Sequence, residues 1–394
     1  MRGSALLCVV CLVTAAVPLA VQAQEAGGAL QFGPTTVRPT LGFGVLANDN
    51  VRASENDAAG DIAAITQPAL QLNIDGRDFD WSLLGSARFD RYATETDENE
   101  ETYRASTALD YTATNDLDFN GRLDFTRASE DRTDADTDDG AQRFVFNDFG
   151  VNAGARWRLN RISLAPNGGI TRRDFDDEIR ADREFTRYDG NLRVGFRVSP
   201  AFSTFLQPGV TWRDFDDPDG GGLDQDSLTH RGLVGSSFEL GNLIEAEFAI
   251  GLFQEDFADS DREDFTGLQL NGSLTWNVTP LTDVIFTIDR REETSFVEEG
   301  NEQADSRIRT EARFGVEHAL TNRTTLDADL RLRLDDYQGL QRSDTRFTIG
   351  LGASYRLNRW VALTGSYQFD RRTSDADDAG FIRNSLFVGL RSGL

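Results

Sequence analysis

From Thr40 to the end of the chain, apolar and polar residues alternate with a period of two. Thr325 to Asp336 is the clearest stretch. Leu326, Ala328, Leu330, Leu332 and Leu334 share one parity, and Asp327, Asp329, Arg331, Arg333 and Asp335 the other. Successive side chains of a strand point to opposite faces, whereas a helix would scatter these charges around its circumference. The same dyad sets Leu117, Phe119, Leu123 and Phe125 against Asp118, Asn120, Arg122 and Asp124. It sets Leu192, Val194, Phe196 and Val198 against Asn191, Arg193 and Arg197, and Phe347, Ile349, Leu351, Ala353 and Tyr355 against Arg346, Thr348, Ser354 and Arg356.

The connections alternate in kind. One set is tight: Asp75-Gly76, Thr114-Asn115-Asp116, Leu159-Asn160-Arg161, Ser199-Pro200, Gly241-Asn242, Thr279-Pro280, Leu320-Thr321-Asn322 and Leu357-Asn358. These are turn chemistries. The other set is longer and mostly acidic, as in 93–101, 129–141, 214–226, 255–264 and 292–305. Counting gives about eighteen strands, the first two near Thr40 and Ile65 and the last near Gly380, an even number as single-chain bacterial barrels require. Sixteen is the alternative, because the first two strands carry the weakest pattern. Pro68, Pro166 and Pro208 fall inside predicted strands, where each deletes a ladder donor; a bulge or a shortened strand would accommodate them.

Two solutions bury such a pattern, a soluble sandwich and a membrane barrel. The polar face here is strongly ionic and the apolar face persists through nearly every strand, which suits lipid outside and water inside. No apolar run beyond the first 23 residues reaches the ~18 residues of a membrane helix. Aromatic residues close to strand ends, Tyr111, Trp157, Trp212, Trp276, Tyr355 and Trp360, are placed to form interfacial girdles. An open sheet would leave backbone groups unpaired in hydrocarbon, so the strands must close. The expected fold is all-β: an antiparallel transmembrane β-barrel with short periplasmic turns and long acidic extracellular loops.

The start of the chain reads as a secretory leader. Arg2 precedes a mostly apolar stretch from Ala5 to Val21, and Val21-Gln22-Ala23 is a small-x-Ala cleavage site. The expected organisation is a signal peptide over 1–23, a short periplasmic segment without structure of its own over 24–39, and an outer-membrane barrel over 40–394. Both cysteines, Cys8 and Cys11, lie in the leader, so disulfides, thiol catalysis and cysteine metal sites are not expected in the mature protein.

Charge narrows the partners. All 40 basic residues are arginine, against 66 acidic ones, for a net charge of −26. A chain this acidic is a poor binder of nucleic acid, whose phosphates demand clustered basic charge. The 27 phenylalanines oppose disorder, which is aromatic-poor.

The hairpin grammar carries a resemblance. A Thr/Ser-Pro or Leu-Asn turn is followed by an apolar strand in Val198-Ser199-Pro200-Ala201-Phe202, Val278-Thr279-Pro280-Leu281-Thr282 and Arg356-Leu357-Asn358-Arg359-Trp360. Outgoing strands end on Arg173-Asp174-Phe175-Asp176-Asp177 and Arg213-Asp214-Phe215-Asp216-Asp217. In these features residues 40–394 resemble the putative beta-barrel porin type-2 family of outer-membrane proteins. The resemblance implies a Gram-negative outer-membrane location and an association with exopolysaccharide export, hence a glycan as cargo and a periplasmic polysaccharide-export component as partner.

Strand parity aims a set of charges into the lumen: Arg88, Asp110, Asp118, Arg122, Asp124, Arg156, Arg193, Arg197, Glu245, Glu247, Arg309, Glu311, Arg313, Asp327, Asp329, Arg331, Arg333 and Arg346. They read either as a mutually paired, solvated wall or as a selectivity surface, and the two are compatible. The leading function is a porin-like channel passing polar solutes or an exported polysaccharide. The alternatives are a non-conducting structural or assembly barrel and, more remotely, an outer-membrane hydrolase using His230 near Ser227, Asp224 and Asp226. No cofactor fingerprint and no metal constellation stands in the sequence. The acidic run from Asp217 to Asp226 has oxygen ligands beside glycines but departs from the twelve-residue calcium loop, and reads as a solvated loop. Outer-membrane lipid and lipopolysaccharide are the expected surroundings, with the oligomeric state open.

Overall fold

The computed structural model describes residues 29–134, 136, 143–216, 225–259, 262–299 and 302–393. The expected signal peptide lies outside the described residues, as does the acidic run except for Gln225 and Asp226.

Eighteen long strands make the barrel. The first six are β1 (Thr35–Asn48), β2 (Asp61–Asp75), β3 (Phe79–Tyr92), β4 (Glu100–Thr114), β5 (Leu117–Ser129) and β6 (Val145–Leu159). Next come β7 (Ile162–Phe175), β8 (Phe185–Ser199), β9 (Phe202–Phe215), β10 (Ser227–Leu240), β11 (Ile244–Phe257) and β12 (Phe265–Thr279). The last six are β13 (Thr282–Glu293), β14 (Ser306–Thr321), β15 (Thr324–Gln338), β16 (Ser343–Arg356), β17 (Val361–Ser374) and β18 (Phe381–Gly393). Each pairs antiparallel with the next, and β1 pairs with β18 from Thr40↔Gly393 to Asn48↔Ser385. The cylinder is closed, so the spanning strands leave no open edge to the hydrocarbon.

All eight tight turns fall where the sequence puts them. Asn160 and Gly241 supply the left-handed backbone, at φ 57° and φ 56°, that two of these turns need. The start of the barrel differs from expectation. β1 begins at Thr35, and Leu30–Phe32 pairs with Thr35–Val37. This three-residue strand runs in the direction of β18 and takes the place beside β1 just beyond where β18 stops. The segment expected to be structureless therefore finishes the seam at the tight-turn end. Its apolar Leu30 and Phe32 point outward with Val37, which favours pairing over a free tail. β2 also begins earlier than expected, because Asp61 to Ala64 carries small residues that alternate too weakly to read.

The three prolines cause neither bulges nor early strand ends. Each sits on the outward face and interrupts the ladder on one side only. Pro68 still pairs with Leu41, Pro166 with Leu192 and Pro208 with Gly232. On the opposite side the register resumes unshifted, as in Leu206↔Val194 followed by Gly209↔Asn191. An antiparallel residue gives its N–H to one neighbour only, so a proline costs one bond and leaves the other ladder intact.

Burial is inverted relative to a water-soluble protein. Leu252, Phe43 and Leu351 are 60%, 59% and 51% exposed, whereas Asp370 and Thr229 are 0% exposed. The continuous register puts nearly all exposed apolar residues of the strands on one face, with Leu84 and Ile285 as exceptions on the other. That the other face is the interior follows from reach. Arg193 of β8 holds Glu247 of β11 through bonds of 2.9 and 2.8 Å, with two strands between them. At about 4.8 Å per strand, only the concave side allows that chord.

Candidate conduction lumen

The strand register places all of the charges named above from strand parity on the inward face. Most are engaged. Arg88 forks onto Asp90 at 2.7 and 2.8 Å, Arg122 onto Asp124, and Arg193 onto Glu247. Arg309 meets Asp335 at 2.9 Å and Glu293 at 2.7 Å, and Arg313 meets Asp329 at 3.1 Å. Arg331 and Arg333 share Glu311, Arg346 holds Asp370, and Asp118 is taken by Arg158. Forked contacts of this kind suit the planar guanidinium and explain the use of arginine alone. Toward the tight-turn end, Asp110, Arg197, Glu245 and Asp327 make no ion pair among the described residues. Arg156 lies directly across from Asp118.

The densest charge lies on β13–β16. There Arg313 stands directly opposite Arg331, and Arg333 opposite Arg346. Like charges placed opposite one another destabilise a sheet unless diagonal neighbours neutralise them. The neutralising carboxylates here are Glu293, Glu311, Asp329, Asp335 and Asp370, some diagonal and some, as Glu311 to Arg333 and Asp335 to Arg309, directly across.

At the long-loop end the sequence predicts long acidic loops and leaves open whether any folds inward. The described residues of the stretch after β5, Glu130–Asp134 and Asp136, turn inward across the lumen. Asp134 accepts from Arg307 of β14 at 2.8 Å, and the Thr133 carbonyl accepts from Arg346 of β16 at 3.3 Å. Arg132 reaches Glu98, before β4, at 2.9 Å. Asp136 accepts from Ser295 Oγ and from the Phe296 N–H, both at 2.9 Å, so this segment also touches the connection after β13. Arg183, from the connection after β7, donates to the Asp136 carbonyl at 3.0 Å. Burial pushes the Asp134 carboxyl up, but Arg307 and Arg309 outweigh it and hold the group well below its ordinary range. Periodicity could not find this segment, because what draws it inward is complementary charge on strands about 170 residues away.

A second deep cluster spans the lumen nearby. Arg213 of β9 donates to Glu255 of β11 at 3.0 Å and to Glu292 of β13 at 2.8 Å. All three are nearly fully buried. Glu255 and Glu292 were not among the sequence candidates, because the sequence pattern places 255–264 and 292–305 in loops, whereas β11 and β13 continue to Phe257 and Glu293.

Of the predicted girdle, Tyr111, Trp157, Trp276 and Tyr355 face outward near the tight-turn rim, and Trp360 lies in a turn beside them, under Arg359. Trp212 faces outward toward the other rim and stacks on Tyr188 at 5.1 Å. Tyr188 was missed, although its parity with Leu192 marks it as outward. His230 lies across from Val210 on the outward face, and Ser227 points inward. His318 Nδ1 and Thr282 Oγ1 lie 2.9 Å apart on the outward face near a tight turn. No serine–histidine pairing arises from these placements. Asp226 accepts from the Phe215 N–H at 2.7 Å, closing its connection.

Comparison with known proteins bears on this geometry. The family model described as putative beta-barrel porin 2 matches residues 24–393. No curated protein matches the chain. Among solved structures, the copper transporter OprC shares 10% identity at a TM-score of 0.50, covering 93% of this chain and 82% of that one. OpdL from Pseudomonas aeruginosa shares 12% identity at a TM-score of 0.45, covering 92% of this chain and 99% of that one. At such identities the likeness to OprC speaks for the barrel fold alone.

Proposed function

Because this chain belongs to the putative beta-barrel porin 2 family, we propose that it is a passive channel of the Gram-negative outer membrane for polar solutes. One observation carries the reading: a closed barrel turns its ionic face inward around an interior narrowed, at one end, by a segment of its own chain. Eighteen strands enclose more width than side chains alone fill, which leaves room for water. The guanidiniums and carboxylates are held against the wall by one another, so a passing solute meets a polar but largely neutralised surface. Export of a polysaccharide, which the family resemblance implies, would require the inward segment to swing clear.

The reading is non-enzymatic, in keeping with Ser227 and His230 lying on opposite faces. Lipopolysaccharide is the natural neighbour of the outward pairs Arg127–Asp176 and Arg172–Asp216, each with a bond of 2.9 Å at the long-loop rim. Planar-bilayer recording of the refolded full chain tests the proposal. Discrete conductance steps are expected at neutral pH. Silence from a correctly refolded barrel, in both wild type and a variant with the inward segment released, would favour a non-conducting scaffold.

A further inference from the structure

The lumenal wall is chemically two-sided. On β13–β16 it is dense in charge, whereas at mid-height on β5–β9 it turns to side-chain amides. One ladder row there reads Asn120, Gly154, Asn167, Asn191 and Gly209 across five consecutive strands. Asn152 stands in the adjoining row, between Arg122 and Gly169.

The glycines in this patch leave the space that the amide ends occupy. A Cβ at Gly154 would lie 2.7 Å from Asn120 Oδ1 and 2.8 Å from Asn167 Nδ2. A Cβ at Gly169 would lie 2.8 Å from Asn152 Nδ2. The amides therefore lie flat over bare backbone and keep the passage open beside them. Asn167 donates to Asn152 Oδ1 at 2.9 Å. The side chains of Asn120 and Asn191 make no hydrogen bond among the described residues, and Asn120 is exposed to the lumen. Of the charges bordering the patch, Arg122 is held by Asp124 and Arg193 by Gln207 and Glu247, whereas Asp110, directly across from Asn120 at the end of the row, makes no ion pair among the described residues.

Resting on the channel reading above, we propose that Asn120, Asn152, Asn167 and Asn191 form a weak binding row for an uncharged, polyhydroxylated solute, so that the channel prefers sugars or polyols over other neutral solutes of equal size. A primary amide both donates and accepts, which matches a hydroxyl that does the same. Adjacent strands place Asn167 and Asn191 about 5 Å apart, the scale on which hydroxyls are arrayed across a sugar ring, and Asn120 stands beyond Gly154, two strands from Asn167. Neutral hydrogen bonds made in competition with water are weak, so solute is retained without being trapped.

The test compares liposome swelling in sucrose and in a polyethylene glycol of matched hydrodynamic radius, which lacks hydroxyl donors along its length. The full chain is reconstituted as wild type and as the triple variant Asn120→Ala, Asn167→Ala, Asn191→Ala, each checked for heat-modifiable migration. Wild type is expected to favour sucrose, and the triple variant to lose about threefold of that ratio, the scale of one neutral hydrogen bond. Alanine widens the passage, so a purely steric role would raise both rates and leave the ratio unchanged. An equal ratio in the two proteins, or no preference in a conducting wild type, overturns the inference alone. If wild-type liposomes admit neither solute and the protein is electrically silent, the channel reading itself fails. Should the triple variant not fold, Asn191→Ala alone is measured against the same ratio, with a smaller fall expected and an unchanged ratio contradicting the row.

Discussion

Replacing Asp134 and Asp136 together with alanine should raise the single-channel conductance of the reconstituted chain about twofold or more, as expected when a constriction is relieved. These two carboxylates are the principal acidic anchors of the inward segment on the far wall. Asp134 sits on Arg307, Asp136 lies 3.3 Å from the same guanidinium, and Asp136 also ties the segment to Ser295 and Phe296. The wall does not depend on them. Arg307 keeps Glu293 at 3.3 Å, and Arg309 keeps both Glu293 and Asp335. The barrel should accordingly retain its heat-modifiable migration while the passage widens. Unchanged conductance would mean that the segment is not the restriction.

The same contacts set the response to acid. The Asp134 carboxyl titrates well below its unfolded value, so the stability it contributes is fully present above the ordinary carboxylate range and is lost as pH falls through the lower, folded value. Mild acid should leave the conductance of the wild type unchanged, and release is expected only below the range in which free carboxylates protonate.

Arg213→Met should be the most damaging single substitution in the lumen. It removes the cation shared by Glu255 and Glu292, both 3% exposed at the side chain, and leaves two carboxylates facing each other. Removing one partner of a buried ionic group costs about 3 kcal/mol or more, chiefly because the charge left behind is cut off from water, and here Arg231, 3.9 Å from Glu292, remains as a nearby cation. The expected result is a sharp drop in the temperature at which the folded band converts to the unfolded one. Adding Glu255→Gln and Glu292→Gln to Arg213→Met should recover most of the loss, since the uncompensated charge is then gone. If the triple variant were no more stable than the single one, packing rather than charge would be the reason for the arginine.

Much of the barrel was legible in the residues, because its signals are local. Alternation along Leu326–Asp335 fixes the faces of one strand, and Leu159-Asn160-Arg161 or Gly241-Asn242 fixes where a hairpin reverses. The same parity predicted the inward set from Arg88 to Arg346. What was not legible depends on the lateral position of distant strands. Nothing local joins Arg213 to Glu292, 79 residues later, or draws Asp134 to Arg307. The amide row was half visible: Asn120 and Asn191 have inward parity, but their shared row depends on the register of three successive strand pairs. The seam was misread at its start, since Leu30–Phe32 is too short to show a period.

The central claim is that the ionic face of each strand lines the conducting path and the apolar face does not. Cysteine substitutions along β15 test it directly, because the only native cysteines are Cys8 and Cys11. A charged methanethiosulfonate reagent is applied during bilayer recording to channels bearing cysteine at 329 or 331, and at 330 or 332. Modification at Asp329 and Arg331 should change the current within the exposure, while the Leu330 and Leu332 positions stay silent. Current changes at the leucine positions alone, or at neither set in a conducting barrel, would contradict it.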